Sequence, residues 1–176
     1  SNNLIIEDNA IGNAGAEMKT INNSATASLS GNTVIGIYVL SSIHQIRNNL
    51  IRNLTTNNQS TGTGTSSSVQ GMYISSAASG SLISGNTIHS LSNTSPAANS
   101  WVNGITISSS TALLTFEKNF IHSLVISGTG STATINGIYI NGGSTRFANN
   151  MIRLGVDAAG NSITSGLAIN GINEVG

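Results

Sequence analysis

Arg52, His89, His122 and Arg153 each stand directly after the closing Ile of the pattern apolar-x-x-Asn-x-Ile. In an extended strand that position points away from the Ile, so four cationic or titratable side chains would share an outward face. Such a stripe is a candidate contact for an acidic polysaccharide or a phosphate-bearing surface. It would strengthen below about pH 6.5, where both imidazoles gain charge. The plainer reading is a solvated face with widely spaced like charges. No metal site is expected at His89 and His122, because no carboxylate or third His shares their column.

Tyr38, Tyr73 and Tyr139, with Thr106 in the same repeat position, form a second outward column. Their rings are candidate glycan-binding surfaces. Neighbouring rings also simply stabilise one another, by about 0.2–1 kcal/mol per cross-strand pair.

Catalysis needs grouped acids, and here they are few. Glu7, Asp8, Glu17, Glu117, Asp157 and Glu174 fall mostly in different repeats and different columns. A paired acid and base is hard to assemble from them, so no catalytic residue is expected. Glu117 and Lys118, one repeat from Arg146 and Arg153, are the strongest catalytic cluster on offer. The segment Asp157-Ala158-Ala159-Gly160-Asn161 is too sparse in acids for an ion loop, and no cofactor is implied.

The elements that must position these residues are repeats. Gly36-Ile37-Tyr38-Val39, Gly71-Met72-Tyr73-Ile74, Gly104-Ile105-Thr106-Ile107, Gly137-Ile138-Tyr139-Ile140 and Gly166-Leu167-Ala168-Ile169 recur at separations of 35, 33, 33 and 29 residues. Between them run Ile46-x-x-Asn49-x-Ile51, Ile83-x-x-Asn86-x-Ile88, Phe116-x-x-Asn119-x-Ile121 and Phe147-x-x-Asn150-x-Ile152. Ile6-x-x-Asn9-x-Ile11 and Leu29-x-x-Asn32-x-Val34 are taken as two earlier copies.

Apolar alternation with period two predicts strands, and strands this short bury their apolar face only by stacking on equivalents in the next repeat. A constant order of elements in a constant direction makes that stacking parallel. The expectation is an all-β chain, a β-solenoid of about five to six coils over residues 1–176, one domain. No convincing helical period is present, and Pro96 falls in a polar loop. An antiparallel sandwich is the competing fold. The Ser/Thr/Gly/Asn-rich loops at 55–68, 92–101 and 127–134 should cluster on one side as contact loops or tolerated insertions.

These repeats resemble the right-handed parallel β-helix family found in pectate-lyase-like and other secreted bacterial proteins. That resemblance implies stacked inward aliphatics and an Asn ladder at the bends, matched here by Asn49, Asn86, Asn119 and Asn150. A short amide at such a bend can bond local backbone, tolerate left-handed φ and bond the next amide in the stack. The resemblance says little about function.

Composition narrows what remains. Charged residues are 7% of the chain, with Lys+Arg and Asp+Glu at 6 each, so there is no basic field for nucleic acid. Hydrophobic content of 38% supports one continuous core. No apolar run is long enough for a membrane span, and no signal-peptide pattern opens the chain. Absence of Cys excludes disulfides and thiolate metal sites. The chain opens in an apolar strand at Leu4-Ile5-Ile6 and closes after a Gly strand without a polar cap. It is therefore read as a segment of a longer repetitive protein, or as a unit whose ends pair with other copies of itself. The ranked expectation is a secreted or cell-surface structural or adhesive solenoid, then a glycan-binding module with a polysaccharide partner, then a carbohydrate-active enzyme.

Overall fold

The structure, a computed structural model, describes residues 3–20, 33–40, 42–108, 113–128, 130–164 and 167–175. Its strands follow the repeat. They are β1 (Asn3–Glu7), β2 (Ala10–Ile11) and β3 (Met18–Thr20), then β4 (Val34–Val39), β5 (Ile43–Arg47), β6 (Leu50–Arg52) and β7 (Leu54–Thr56). After a 3₁₀ turn at Gly64–Ser66 come β8 (Val69–Ile74), β9 (Leu82–Ser84) and β10 (Thr87–Asn93). The series continues with β11 (Trp101–Ser108), β12 (Leu114–Glu117), β13 (Phe120–Ile126), β14 (Thr134–Asn141), β15 (Thr145–Ala148), β16 (Met151–Arg153) and β17 (Ala168–Glu174).

These strands build three walls, every ladder parallel. Wall 1 runs β1-β5-β9-β12-β15, wall 2 runs β2-β6-β10-β13-β16 with β3 and β7 at its side, and wall 3 runs β4-β8-β11-β14-β17. The chain is a β-solenoid of about four turns, slightly fewer than the repeat count suggested. Apolar residues stack in columns inside. Ile46, Ile83 and Phe116 form one fully buried column, Ile51, Ile88 and Ile121 a second, and Val69, Val102 and Ile135 a third.

Register corrects two sequence alignments. The strand after Gly137 in wall 3 is not the one at Gly166, which lies outside the described residues. Asn136 pairs with Asn170 and Ile138 with Ile172, so Gly171 continues the glycine column. Likewise Val34 pairs with Val69 in wall 3 and not with the Ile11 column, while Leu29 and Asn32 lie outside the described residues. Asn32-x-Val34 repeats the ladder pattern just ahead of the wall 3 strand, and Gly166 stands five residues before Gly171 at the head of a similar alternation.

The glycines of wall 3 are fixed by close approach. A Cβ on Gly36, Gly71, Gly104 or Gly137 would lie 2.5–2.6 Å from the carbonyl oxygen of the next glycine in the column. It would also lie 2.5–2.7 Å from Cγ2 of Ile51, Ile88, Ile121 or Ile152.

The predicted amide ladder is present and fully bonded. Nδ2 of Asn49 donates to Oδ1 of Asn86, Asn86 to Asn119, and Asn119 to Asn150, each at 2.9 Å. The same oxygens accept the backbone N–H of the preceding ladder residue at 2.9–3.1 Å. Each Nδ2 also reaches one coil back, Asn86 to the Ile46 carbonyl and Asn119 to the Ile83 carbonyl, both at 2.9 Å. Asn9 joins the row at 3.0 Å to Asn49. The left-handed residue is the one before the ladder: Asp8, Asn48, Lys118 and Asn149 have φ of 55–58° and Gly85 has 66°. The ladder amides therefore serve the bonding role expected of them, while their neighbours carry the turn.

The three hydroxyl-rich connections stack instead of spreading into solvent. Thr94 N–H bonds the Thr56 carbonyl, Asn99 the Ser60 carbonyl and Ser127 the Asn93 carbonyl at 2.8–3.1 Å. Beneath them Asn93 Nδ2 donates to Ser68 Oγ and to the Asn58 carbonyl, both at 3.2 Å, in a buried polar layer.

Two substitutions test this packing. Gly104→Ala should lower stability by about 1–3 kcal/mol, through forced shifts of backbone and Ile121, whereas Gly171→Ala, with nothing within 4 Å of the new atom, should be near neutral. Urea unfolding of both variants reads the difference. Asn86→Ala strips partners from buried groups on two coils and should cost about 3 kcal/mol or more; an unchanged midpoint would exclude the ladder as a stabilising element.

Candidate functional site

The cationic column is built as the pattern implied. Ile51, Ile88, Ile121 and Ile152 point inward, and the following residues pair in register, Arg52 with His89, His89 with His122, and His122 with Arg153. The two imidazole rings stack almost parallel, 5° apart with centroids at 4.7 Å. Phe120, two residues before His122 on the same face, stacks on it at 4.4 Å. Nδ1 of His89 lies 2.8 Å from Ser90 Oγ, and Nδ1 of His122 lies 2.9 Å from Ser123 Oγ. Ser90 and Ser123 hold left-handed φ of 55° and 56°, as Asn53 does in the coil before, so a backbone corner places both hydroxyls.

Charge on this column differs from the expectation. Partial burial pushes His89 below the ordinary imidazole pKa, reinforced by His122 and then Arg52. Burial and then Arg153 do the same to His122. The stripe therefore gains its imidazole charge at more acid pH than 6.5, because the rings are partly buried and share one column with each other and with two guanidinium groups.

The tyrosine column is in register but is not a platform. Tyr38 pairs with Tyr73, Tyr73 with Thr106, Thr106 with Tyr139, and Tyr139 with Asn173. Tyr38 is 53% exposed and Tyr73 half-buried, whereas Thr106 is buried and Tyr139 only 6% exposed. The 3₁₀ turn at Gly64–Ser66 lies over this part of wall 3, with Gly64 against the Tyr139 hydroxyl. Trp101 meets the same ring edge-on at 5.2 Å. Burial raises the Tyr139 pKa.

What fastens that turn is a second amide row that the pattern reading missed. Asn103 Nδ2 donates to the Gly64 carbonyl at 3.1 Å and to Ser67 Oγ at 2.8 Å, and Gln70 Nε2 donates to the Thr65 carbonyl at 3.0 Å. Asn136 bonds Asn103 Oδ1 at 2.9 Å, and Asn170 bonds Asn136 Oδ1 at 3.0 Å. The signal was in the sequence as Asn103-Gly104, Asn136-Gly137 and Asn170-Gly171, with Gln70-Gly71 before them.

Beside the cationic column a groove of about 330 Å³ opens over wall 2. Asn53, Ser90, Ser92, Thr94 and Ser123 supply its polar lining, with Glu17 and Asp157 from the first and last coils. The Asp157 carboxylate is taken up by its own turn: Oδ1 accepts from Ala159 N–H at 2.9 Å and Asn161 N–H at 2.8 Å, and Oδ2 from Asn161 Nδ2 at 2.8 Å. Those bonds hold its pKa below the usual carboxylate value.

Two further acids pair locally. Glu7 bonds Arg47 at 2.7 Å, and Glu117 faces Arg146 at 4.0 Å on wall 1. Arg153 sits on wall 2, so Glu117 and Lys118 with Arg146 and Arg153, the strongest catalytic cluster on offer, are split between two faces.

No family model, curated protein or solved structure matches the chain.

One further histidine escaped the pattern. His44 points into the core at 1% exposure, its backbone N–H bonded to Ser81 Oγ at 3.0 Å, with no well-formed hydrogen bond to either ring nitrogen. Burial lowers its pKa, opposed by the backbone of Ser76.

All three imidazoles thus resist protonation in the folded chain more than in the unfolded one, whose pKa is 6.5. Stability is full above pH 6.5 and falls as pH drops below it, until the lowered folded values are passed. Thermal unfolding followed by circular dichroism should show Tm lower at pH 5 than at pH 7.5 by roughly a few degrees. A flat or rising Tm over that interval would contradict the burial of these rings.

Proposed function

We propose that the chain is a non-catalytic structural or adhesive solenoid segment of a secreted or cell-surface protein. The observation that carries this reading is where the repeated polar residues go. Asn49, Asn86, Asn119 and Asn150 bond coil to coil, and Asn103, Asn136 and Asn170 do the same on another wall. Polar chemistry repeated for cohesion produces a stiff rod of uniform cross-section, which suits a stalk or spacer. Glu17 and Asp157, the two carboxylates that share a groove, come from the first and last coils. In the stack they are about four strand spacings of 4.8 Å apart, well beyond the separation of roughly 5–9.5 Å used by paired glycosidase carboxylates. Placement outside the cell rests on the architecture and on a surface dominated by Ser, Thr, Asn and Gly.

The groove favours a second reading, a glycan-binding module. Its Ser, Thr and Asn side chains follow the solenoid axis beside the cationic column and offer partners to sugar hydroxyls, within a mainly apolar lining that includes Leu91, Val125, Ala158 and Ala159.

Incubation with a panel of neutral and acidic polysaccharides tests both. The structural reading predicts no new reducing or unsaturated ends and unchanged mobility in native gels containing each polymer. Retardation that is lost in Ser92→Tyr, which fills the groove, would support the glycan reading, and release of new chain ends would overturn both.

A further inference from the structure

We propose that Asn141 is a site of spontaneous covalent modification, where attack by the Gly142 nitrogen removes the side-chain amide and leaves aspartate and isoaspartate between walls 3 and 1. This goes beyond the structural reading and does not depend on it.

Gly is the residue least obstructive to such an attack, since it carries no Cβ beside the nitrogen. The sequence holds four Asn-Gly pairs, Asn103-Gly104, Asn136-Gly137, Asn141-Gly142 and Asn170-Gly171. The reacting residues are the same in each, so the fold decides among them.

Three of these pairs are held against reaction. Asn103 is fully buried, and its Nδ2 donates to the Gly64 carbonyl, Ser67 Oγ and Thr106 Oγ1 at 2.8–3.1 Å. Asn136 is also fully buried, donates to Asn103 Oδ1 at 2.9 Å, and accepts from Asn170 and Asn173 at 3.0 and 3.1 Å. Asn170 is half-buried and tied by that same bond. All three pairs lie inside β11, β14 and β17, whose extended backbone is fixed by parallel ladders. Swinging the side-chain carbonyl carbon onto the next nitrogen would break the amide row and twist the strand.

Asn141 differs on each count. It is the last residue of β14 and is exposed. Among the described residues, neither its side chain nor the Gly142 N–H has a hydrogen-bond partner. Gly142 and Gly143 follow with left-handed φ of 81° and 108°, so the chain leaves the sheet through a bend that no ladder holds. The chain is tied down again at Ser144, whose carbonyl accepts from Leu114 N–H at 3.1 Å.

The chemistry needs only solvent. The Gly142 nitrogen gives up its proton and bonds to Cγ of Asn141, the Cγ–Nδ2 bond breaks, and ammonia leaves from the resulting cyclic imide. Water then opens the ring at either carbonyl. One opening gives aspartate; the other gives isoaspartate, in which the main chain runs through the former side-chain carbon. Because the attacking nitrogen must lose its proton, conversion accelerates with rising pH. A chain with equal numbers of acidic and basic residues thereby gains one negative charge at an exposed corner, while β14 stays paired to β11 and β17.

The test is prolonged incubation of the purified chain in mildly alkaline buffer, folded or in urea, sampled by isoelectric focusing and by peptide mass spectrometry that distinguishes isoaspartate from aspartate. The folded chain should accumulate an acidic species converted at Asn141 at least about tenfold faster than at Asn103 or Asn136, which react only from opened states. In urea the four pairs should convert at comparable rates. Asn141→Ser, with its fold confirmed by circular dichroism, should lose the acidic species. Asn141 remaining intact in the folded chain, Asn103 or Asn136 converting there as fast as Asn141, or an acidic species forming at an unchanged rate in Asn141→Ser would overturn the proposal.

Discussion

A coil of this chain is too thin to satisfy its own peptide groups, so each strand hydrogen-bonds to its equivalents in neighbouring coils, and that single constraint turns every position in the repeat into a column. A residue choice at one position is then judged against the same position one coil above and below. Asn succeeds at the corner between walls 1 and 2 because its oxygen accepts two N–H groups from one neighbour while its amide nitrogen donates to both neighbouring coils. Gly succeeds in wall 3 because the carbonyl of the next coil and an Ile methyl occupy the space a Cβ would need. Aliphatic columns fill the interior, and the ring pair Phe116 and Phe147 at 5.5 Å replaces Ile at the far end of one of them.

The same constraint shapes the outside. A column of identical chemistry becomes a surface only where no connection crosses it, and the connections differ from coil to coil. On wall 3 the 3₁₀ turn covers Thr106 and Tyr139 and leaves Tyr38 open, so a column that is uniform in sequence is divided in space. On wall 2 no such turn intervenes between His89 and His122, and the imidazoles lie stacked with their serine partners. Partial burial of the rings, and then like charges placed one strand apart, make the column of cations less basic than its composition implies.

Much of this was legible in the residues. Parallel stacking, the ladder at Asn49, Asn86, Asn119 and Asn150, and the registration of Arg52 with His89, His122 and Arg153 all follow from period-two alternation at a fixed repeat length. The sequence misleads where one local pattern serves two walls: Gly166 heads an alternation like that of Gly171, and Asn32-x-Val34 repeats the ladder pattern although Val34 pairs in wall 3. The cover over Tyr139 was not legible, because it depends on where a long polar connection folds back. Nor was His44, whose inward position between Ile43 and Gln45 places an imidazole where the repeat elsewhere holds Ser81 or Leu114. The Asn-Gly dipeptides carry the signal for the second amide row, the glycine marking the close approach and the asparagine the ladder.

The most direct measurement is hydrogen–deuterium exchange of the Asn side-chain amides by NMR. If Asn86 and Asn119 bond both neighbouring coils, their Nδ2 protons should exchange as slowly as the backbone amides of β10 and β13, and far more slowly than those of exposed Asn161. Exchange of the Asn86 and Asn119 side chains at the rate of Asn161 would contradict the coil-to-coil ladder and the column architecture built on it.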